Sequence, residues 1–484
     1  MNSITEKIRT YWSYNVDSIG LDVFRISYCL VLLFEVLQFF YFKELILDRV
    51  PFLDSSNLTL KVLLLFWIVV LVLMTLGLFT KISAILNYAF SYLFFSETRD
   101  FSYHMLYTYL TINFFLIFVP IGHNLSLPGR LKTKKGIETV KVTKVPVFFY
   151  HSLLFWGIGA VYFDSVFRKL TSPMWSSGLG LWLPASLPHI INLELDFLLN
   201  QETIVKILGY TTIIFEAIFI FVFFVKKFRV PVFIIGVGLH LGILLAFPIP
   251  LFALGACGIY LLLVPFSFWR RFVPYGNQVK SVLNLQYTRS KNYLLLFMIL
   301  VFFIPQFYIT SQVGLAKKLT PDIFLDTTRN EIALVLRKLG SFTGVVPHGV
   351  FMDSHFREYN HVVALIAEVD DHHIWLPIVD SKGIPSYYNN GSNWVNWTFR
   401  VNSPKINMKR LSKGIIRYSI FWAQKNSIDM NNMKILVKVK KIEIPSKWQM
   451  SYLNKQIQRE WLNAGQLTFS NNSPKLNLIN IEEI

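Results

Sequence analysis

Residues 60–79 read LKVLLLFWIVVLVLMTLGLF, twenty residues whose one charge, Lys61, sits at the edge. A helix rises about 1.5 Å per residue, so twenty residues span about 30 Å, the thickness of a bilayer's hydrocarbon core. Strands run about 3–10 residues, so a run of this length reads as a transmembrane helix. Working outward, comparable apolar runs lie at 21–42, 81–97, 104–121, 146–166, 208–225, 230–247, 250–268 and 293–311, making nine in all. The run at 81–97 (ISAILNYAFSYLFFSET) is the shortest. Phe247-Pro248-Ile249-Pro250 joins two of the runs, and two prolines in four residues favour a tight turn. The first run holds Arg25 and Glu35, is too long for a signal peptide and lacks a small-residue cleavage site.

Composition agrees. The 484 residues are 53% apolar and 16% charged, against about 25% charged in an average soluble chain. Mean hydropathy is +0.45. This excludes a disordered chain, and two cysteines exclude a disulfide scaffold. Long apolar runs argue against an ordinary soluble enzyme. Net charge is +18, of which residues 1–312 carry +10 and residues 313–484 carry +8. The excess is spread through loops, without a dense basic stripe interleaved with aromatics. That suits an anionic membrane surface, and nucleic acid is not an expected partner.

Cationic residues set the orientation. Seventeen Lys and Arg, including Lys7, Arg9, Arg130, Lys134, Lys226, Arg270 and Lys291, fall in one set of loops. Six, including Lys43, Arg99, Arg168 and Lys169, fall in the other. The N-terminus is therefore predicted to be cytoplasmic, and nine spans put the tail outside. The expected architecture is an all-α polytopic bundle of the cell membrane, residues 1–312, with an extracytoplasmic β-rich domain, residues 313–484. Within the tail, 362–369, 373–379, 397–401 and 435–444 read as strands between turn signals. Segment 447–464, with Trp448, Tyr452 and Trp461, reads as a C-terminal helix. Cys29 and Cys257 lie inside spans as packing residues.

Ionisable groups inside spans cost roughly 2.5–3.5 kcal/mol at a helix centre, so each calls for a partner or a role. They are Arg25, Glu35, His104, His151, Asp164, Glu216 and His240. Arg25 is expected to pair with a carboxylate, and Glu216 to accept hydrogen bonds from a neighbouring helix. A lone histidine on an apolar face is more often a satisfied core residue than a ligand. No histidine pair with ligand spacing stands beside a carboxylate, and no metal is predicted. The run Asp370-Asp371-His372-His373 falls where a strand turn is expected.

The fifth span ends Tyr162-Phe163-Asp164-Ser165-Val166-Phe167-Arg168-Lys169-Leu170, followed by Trp175 and Gly178. Two readings stand. Arg168 and Lys169 snorkel from an apolar helix to the interface. Alternatively, Lys169 sits at a dry boundary that disfavours its ammonium form, which suits a base near neutral pH. Asp164 and Lys169 are five residues apart, about 500° around a helix, so they do not share a face.

At these residues the sequence resembles the vitamin K-dependent gamma-carboxylases and their mostly bacterial relatives, which share the horizontally transferred transmembrane domain. The resemblance covers roughly residues 15–270. It rests on Leu21-Asp22-Val23-Phe24-Arg25, Leu76-Gly77-Leu78-Phe79-Thr80-Lys81-Ile82-Ser83 and His104-Met105-Leu106-Tyr107. The Tyr162 to Lys169 piece with Trp175 and Gly178 follows, then His240 with Phe247-Pro248-Ile249-Pro250-Leu251-Phe252.

The resemblance implies that Lys169 is the base that deprotonates reduced vitamin K or a menaquinol, and that His104 is its polar helper. In the family mechanism the deprotonated hydroquinone reacts with O2 and yields a stronger alkoxide. That alkoxide removes the gamma proton of a glutamyl side chain, and the carbanion attacks CO2. A gamma C–H is too weak an acid for any side-chain base, so cofactor oxidation must drive the step. The expected partners are the lipid bilayer and a secreted peptide or protein substrate.

Several positions depart from the family pattern. Ser165-Val166 replaces an Ala-Gly pair, Arg168 stands for a lysine, and Pro250 for a glycine. The tail of about 170 residues is short, and the family's cysteine pair is missing. These departures keep a second reading open: a non-catalytic membrane factor for maturation, export or immunity of a secreted peptide or protein. A transporter is disfavoured, since no pair of broken spans recurs in two halves.

Overall fold

A chain segment in hydrocarbon must satisfy its own backbone hydrogen bonds, and long apolar runs meet that need as helices. The computed structural model describes residues 14–484 except 54–56, 123, 129–130, 132–141, 273–281, 285–292, 294–296, 320–330, 357–359, 371, 403–406 and 472. Of the expectations above, Lys7, Arg9, Arg130, Lys134, Lys291, Asp371 and part of the ninth run lie outside the described residues.

The membrane part is built from α1 (Ile19–Tyr41), α2 (Leu58–Leu76), α3 (Thr80–Glu97) and α4 (His104–Leu116). Next come α5 (Phe148–Leu154) and α6 (Ala160–Lys169), joined by a π-helical turn, Phe155–Gly159. α7 (Glu202–Val222), α8 (Arg229–Ala246), α9 (Pro250–Tyr260) and α10 (Ile304–Ser311) follow. Among the described residues, α1, α2, α7 and the stretch Lys226–Ala246 are long and apolar enough to cross a membrane, while Pro250–Leu263 and Leu300–Ser311 are shorter apolar helices.

The quoted sequence pieces act as joints. Asp22 accepts hydrogen bonds from the backbone N–H of Asn124 at 2.7 Å and Leu125 at 2.9 Å, and also from Gly122. Arg25 lies 3.7 Å from Asp22 and donates to the carbonyls of Met74, Thr75 and Leu125. It therefore closes the C-terminus of α2, whose last carbonyls have no helical partner. Gly77, at φ 75°, ends that helix in the left-handed conformation, and Leu78 N–H returns to Leu73 at 2.9 Å.

A small mixed sheet sits at one end of the bundle. Its strands are β1 (Asn15–Asp17), β2 (Val142–Pro146) and β3 (Val282–Asn284), in the order β1-β2-β3. Strands of three to five residues are too short to leave a clear periodic signal, so the sequence does not announce them. Arg270 pairs with Asp17 at this end, at 2.6 Å.

The other end carries the tail. Its five-stranded antiparallel sheet has the order β5-β4-β6-β7-β8, with β4 (His361–Val369), β5 (His372–Trp375), β6 (Lys434–Lys441), β7 (Leu462–Ser470) and β8 (Ser473–Leu478). Segment 362–369 is thus a strand, 435–444 is one as far as Lys441, and 373–379 only as far as Trp375. Residues 397–401 are not a strand: they form a π-helical turn, Asn396–Val401, continuing from Ser392–Val395. Residues 391–398 are all buried, so no alternation of buried and exposed positions marks a strand there. The helix expected at 447–464 is confined to Tyr452–Ile457, and Trp461 instead donates to the Ser381 carbonyl at 2.7 Å. Two helices of the tail were not anticipated, α11 (Glu331–Thr343) and α12 (Met408–Lys425).

Hydrogen bonds tie the tail to the helix ends. Ser392 donates to Glu35 at 3.0 Å, Gly391 N–H to the Pro248 carbonyl at 3.0 Å, and Trp448 to the Leu199 carbonyl at 3.0 Å. One continuous buried core includes residues from both parts of the chain.

Candidate functional site

α6 ends on Lys169, which is 4% exposed. Its Nζ donates to Glu216 Oε1 of α7 at 2.5 Å and lies 4.3 Å from the centre of the Trp175 ring. The snorkelling reading does not describe this side chain, because it points into protein. Arg168, its neighbour, turns the other way and pairs with Asp164 at 2.9 Å. The predicted separation of Asp164 and Lys169 around the helix therefore holds. The π turn before α6 adds one residue to the helical ladder and sets which side chains reach the interior.

Trp175 forms the floor under the amine. Its indole N–H donates to the Phe351 carbonyl at 2.8 Å, and Ser172, beside it, donates to Asp353. Gly178 takes φ 81°, a conformation that favours glycine, and α7 passes so close that a Cβ at Gly209 would lie 2.1 Å from the Gly178 carbonyl oxygen. The Lys169–Trp175–Gly178 spacing is thus the geometry of one helix end and the loop that seats an indole against it.

Lys169, Glu216, His104, His240 and His348 all line one cavity of about 510 Å3. Most of the remaining wall is apolar, with Trp182, Leu239, Phe247 and Phe252 among its members. His240 on α8 faces the Gly236 carbonyl, which can only accept, at 3.0 Å. Nδ1 therefore carries a proton, and in the neutral ring Nε2 is the acceptor. His104 opens α4, and its ring centre lies 6.1 Å from that of His348. Neither His104 Nδ1 nor His348 Nδ1 has a hydrogen-bond partner among the described residues. His348 comes from the tail, and its backbone N–H donates to Asp164 at 2.7 Å. Burial pushes its imidazole down to about 4, so it is neutral at pH 7.

Sequence reasoning named Lys169, His104 and His240, and the fold brings all three to this cavity. It read Glu216 as a neighbour's hydrogen-bond acceptor without joining it to Lys169, and it did not single out His348. A lysine at the end of one apolar run and a glutamate inside another, 47 positions apart, were the available signal. The remaining intramembrane groups have structural partners: Glu35 accepts from Tyr103 at 2.6 Å, and His151 meets Arg229 at 2.5 Å. Among the described residues no group of three or more His, Cys, Asp or Glu is placed to hold a metal ion.

An apolar helical bundle with an ion pair and several imidazoles gathered in one cavity defines a polytopic membrane protein with a buried polar site. Residues 14–268 match the family described as the HTTM domain, and the chain belongs to that family. Comparison with curated proteins and with solved structures gives no match.

Proposed function

We propose that this protein is a nine-span membrane enzyme that uses a reduced naphthoquinone, of the vitamin K or menaquinol type, and O2 at the outer leaflet, with Lys169 as base. One observation carries the reading: Lys169, His104 and His240 line a single cavity that is otherwise mostly apolar. Its volume falls in the usual range for small-molecule sites, roughly 300–1,000 Å3. A flat aromatic head with hydroxyl groups fits a greasy chamber whose polar groups include an amine, a carboxylate and imidazoles. When bound, such a quinol would supply the oxidative driving force for removing a proton too weakly acidic for any side chain.

The chain's own residues prepare that chemistry. In the Lys169–Glu216 pair the carboxylate lies 2.5 Å from the amine, so the ammonium proton has an acceptor. Transfer within the pair leaves a neutral amine and a carboxylic acid, with no net change of charge in the apolar wall. The amine then takes the proton of a hydroxyl placed beside it. His240 Nε2 accepts a hydrogen bond from the same ligand, and His104 and His348 line the side toward the tail. CO2 is the expected co-substrate if the family's carboxylating branch is the right comparison, and a secreted peptide or protein the acceptor.

The topology proposed with this function has a cytoplasmic N-terminus and an extracytoplasmic tail. The placement of β1 and the tail's sheet at opposite ends of the bundle supports their lying on different sides, and the loop cations supply the sense. Purified protein should oxidise reduced vitamin K or menaquinol in the presence of O2, and Lys169→Ala should abolish turnover while leaving the fold intact. Absence of turnover in the wild type with both quinols overturns the reading and favours the non-catalytic membrane factor.

A further inference from the structure

The cavity does not end at the buried pair. Ile235, Gly238, Gly242 and Leu245 all line it, at spacings of three, four and three residues along α8, which puts them on one helix face. The same four residues are also solvent-exposed, Ile235 by 47% and Leu245 by 59%. Opposite them on α7, Leu208 and Thr211 also line the cavity and are exposed. A Cβ built at Gly238 or at Gly242 would meet nothing within 4 Å. Gly236, by contrast, has Tyr260 ring atoms 2.6 Å from its Cβ position, so that glycine serves close packing and these two do not.

α7 and α8 are antiparallel neighbours. Glu216 lies six residues before the end of α7 and Ile235 six after the start of α8, so the two are level. From that depth to Leu245 is about 15 Å of helix. The opening is therefore an elongated slot facing the surface that apolar helices present to lipid. One end is level with Glu216 and its partner Lys169, His240 lies near the middle, and the edge residues named here carry no charge.

We propose that the cavity is loaded sideways from the bilayer through this slot, and that its ligand is an amphiphile whose long apolar tail lies between α7 and α8 over Gly238 and Gly242. The quinol reading supplies the choice of polar head, whereas the slot stands on its own geometry. A tail in the slot keeps its apolar surface out of water while the head reaches the buried pair. A Cβ at Gly238 or Gly242 meets no packed atom, so side chains can start there and grow into the path of the tail.

The test uses the full chain with Gly238→Leu and Gly242→Leu combined. With reduced menaquinone bearing an isoprenoid tail and with tail-less menadiol as substrates, the ratio of their kcat/KM values should fall at least tenfold in the variant. An unchanged ratio overturns the proposal. A second readout needs no turnover. In vesicles of phosphatidylcholine brominated on its acyl chains, the fluorescence of cavity-lining Trp182, isolated by difference against Trp182→Phe, should be quenched in the wild type. Quenching should fall at least twofold in the Leu variant. No quenching in the wild type, or quenching insensitive to the variant, overturns the slot whatever the quinols do. Variant-sensitive quenching without quinol turnover upholds the slot and overturns the quinol reading instead.

Discussion

Lys169 lies 2.5 Å from Glu216 and against the face of Trp175, so its proton has an acceptor and its charge a cation–π neighbour within the wall. The sequence contained both members of the pair, but each had an ordinary reading alone: a snorkelling cation at a helix end, and a hydrogen-bonded acid in an apolar helix. What joins them is the packing of α6 on α7. Glu216→Gln keeps a hydrogen-bonding group beside the amine but removes the carboxylate that receives its proton. Under the proposed function kcat should fall about 10²- to 10⁴-fold, the usual range for loss of acid–base catalysis. A stopped-flow assay of quinol oxidation reads this directly, and an unchanged kcat would show that Lys169 acts without its partner.

At the scale of elements, Arg25 shows how a charge inside an apolar run becomes architecture. It is fully buried, lies beside Asp22, and spends its guanidinium on carbonyls at the end of α2 and, at Leu125, in the segment after α4. Arg25→Ala leaves those carbonyls and the Asp22 carboxylate short of a cation. The expected cost is about 3–5 kcal/mol, as for breaking a buried pair. It is measured as a lower denaturation midpoint in detergent, with Arg25→Lys recovering only part because an ammonium lacks the planar fork. A midpoint unchanged by Arg25→Ala would remove this joint from the account of the fold. The expectation that Arg25 pairs with a carboxylate was legible from cost alone. The carbonyls it serves were not, because they lie 49 to 100 positions away.

At the scale of the molecule, the tail contributes to the site as well as capping it. His348 and Phe351 line the cavity, and Asp353 accepts from Ser172 beside Trp175. The proposed orientation predicts that a cysteine at exposed Ser473 in a Cys257→Ser background reacts with a membrane-impermeant maleimide on intact cells. A cysteine at exposed Lys226 should react only after permeabilisation. The reverse pattern would invert the topology and place the site at the inner leaflet.

Sequence alone determined that this chain belongs in a membrane and where its main apolar helices run, because solvation by lipid is a local property summed over twenty residues. It also marked Lys169, since a cation beside an apolar run is costly wherever the rest of the chain goes. Only the tertiary structure decided that Glu216, His240, His104 and His348 share a chamber with it, and that residues 397–401 turn helically rather than extend. Those outcomes depend on which helix faces meet. Side-chain packing between segments tens to hundreds of residues apart selects them, and no periodicity within one segment encodes that choice.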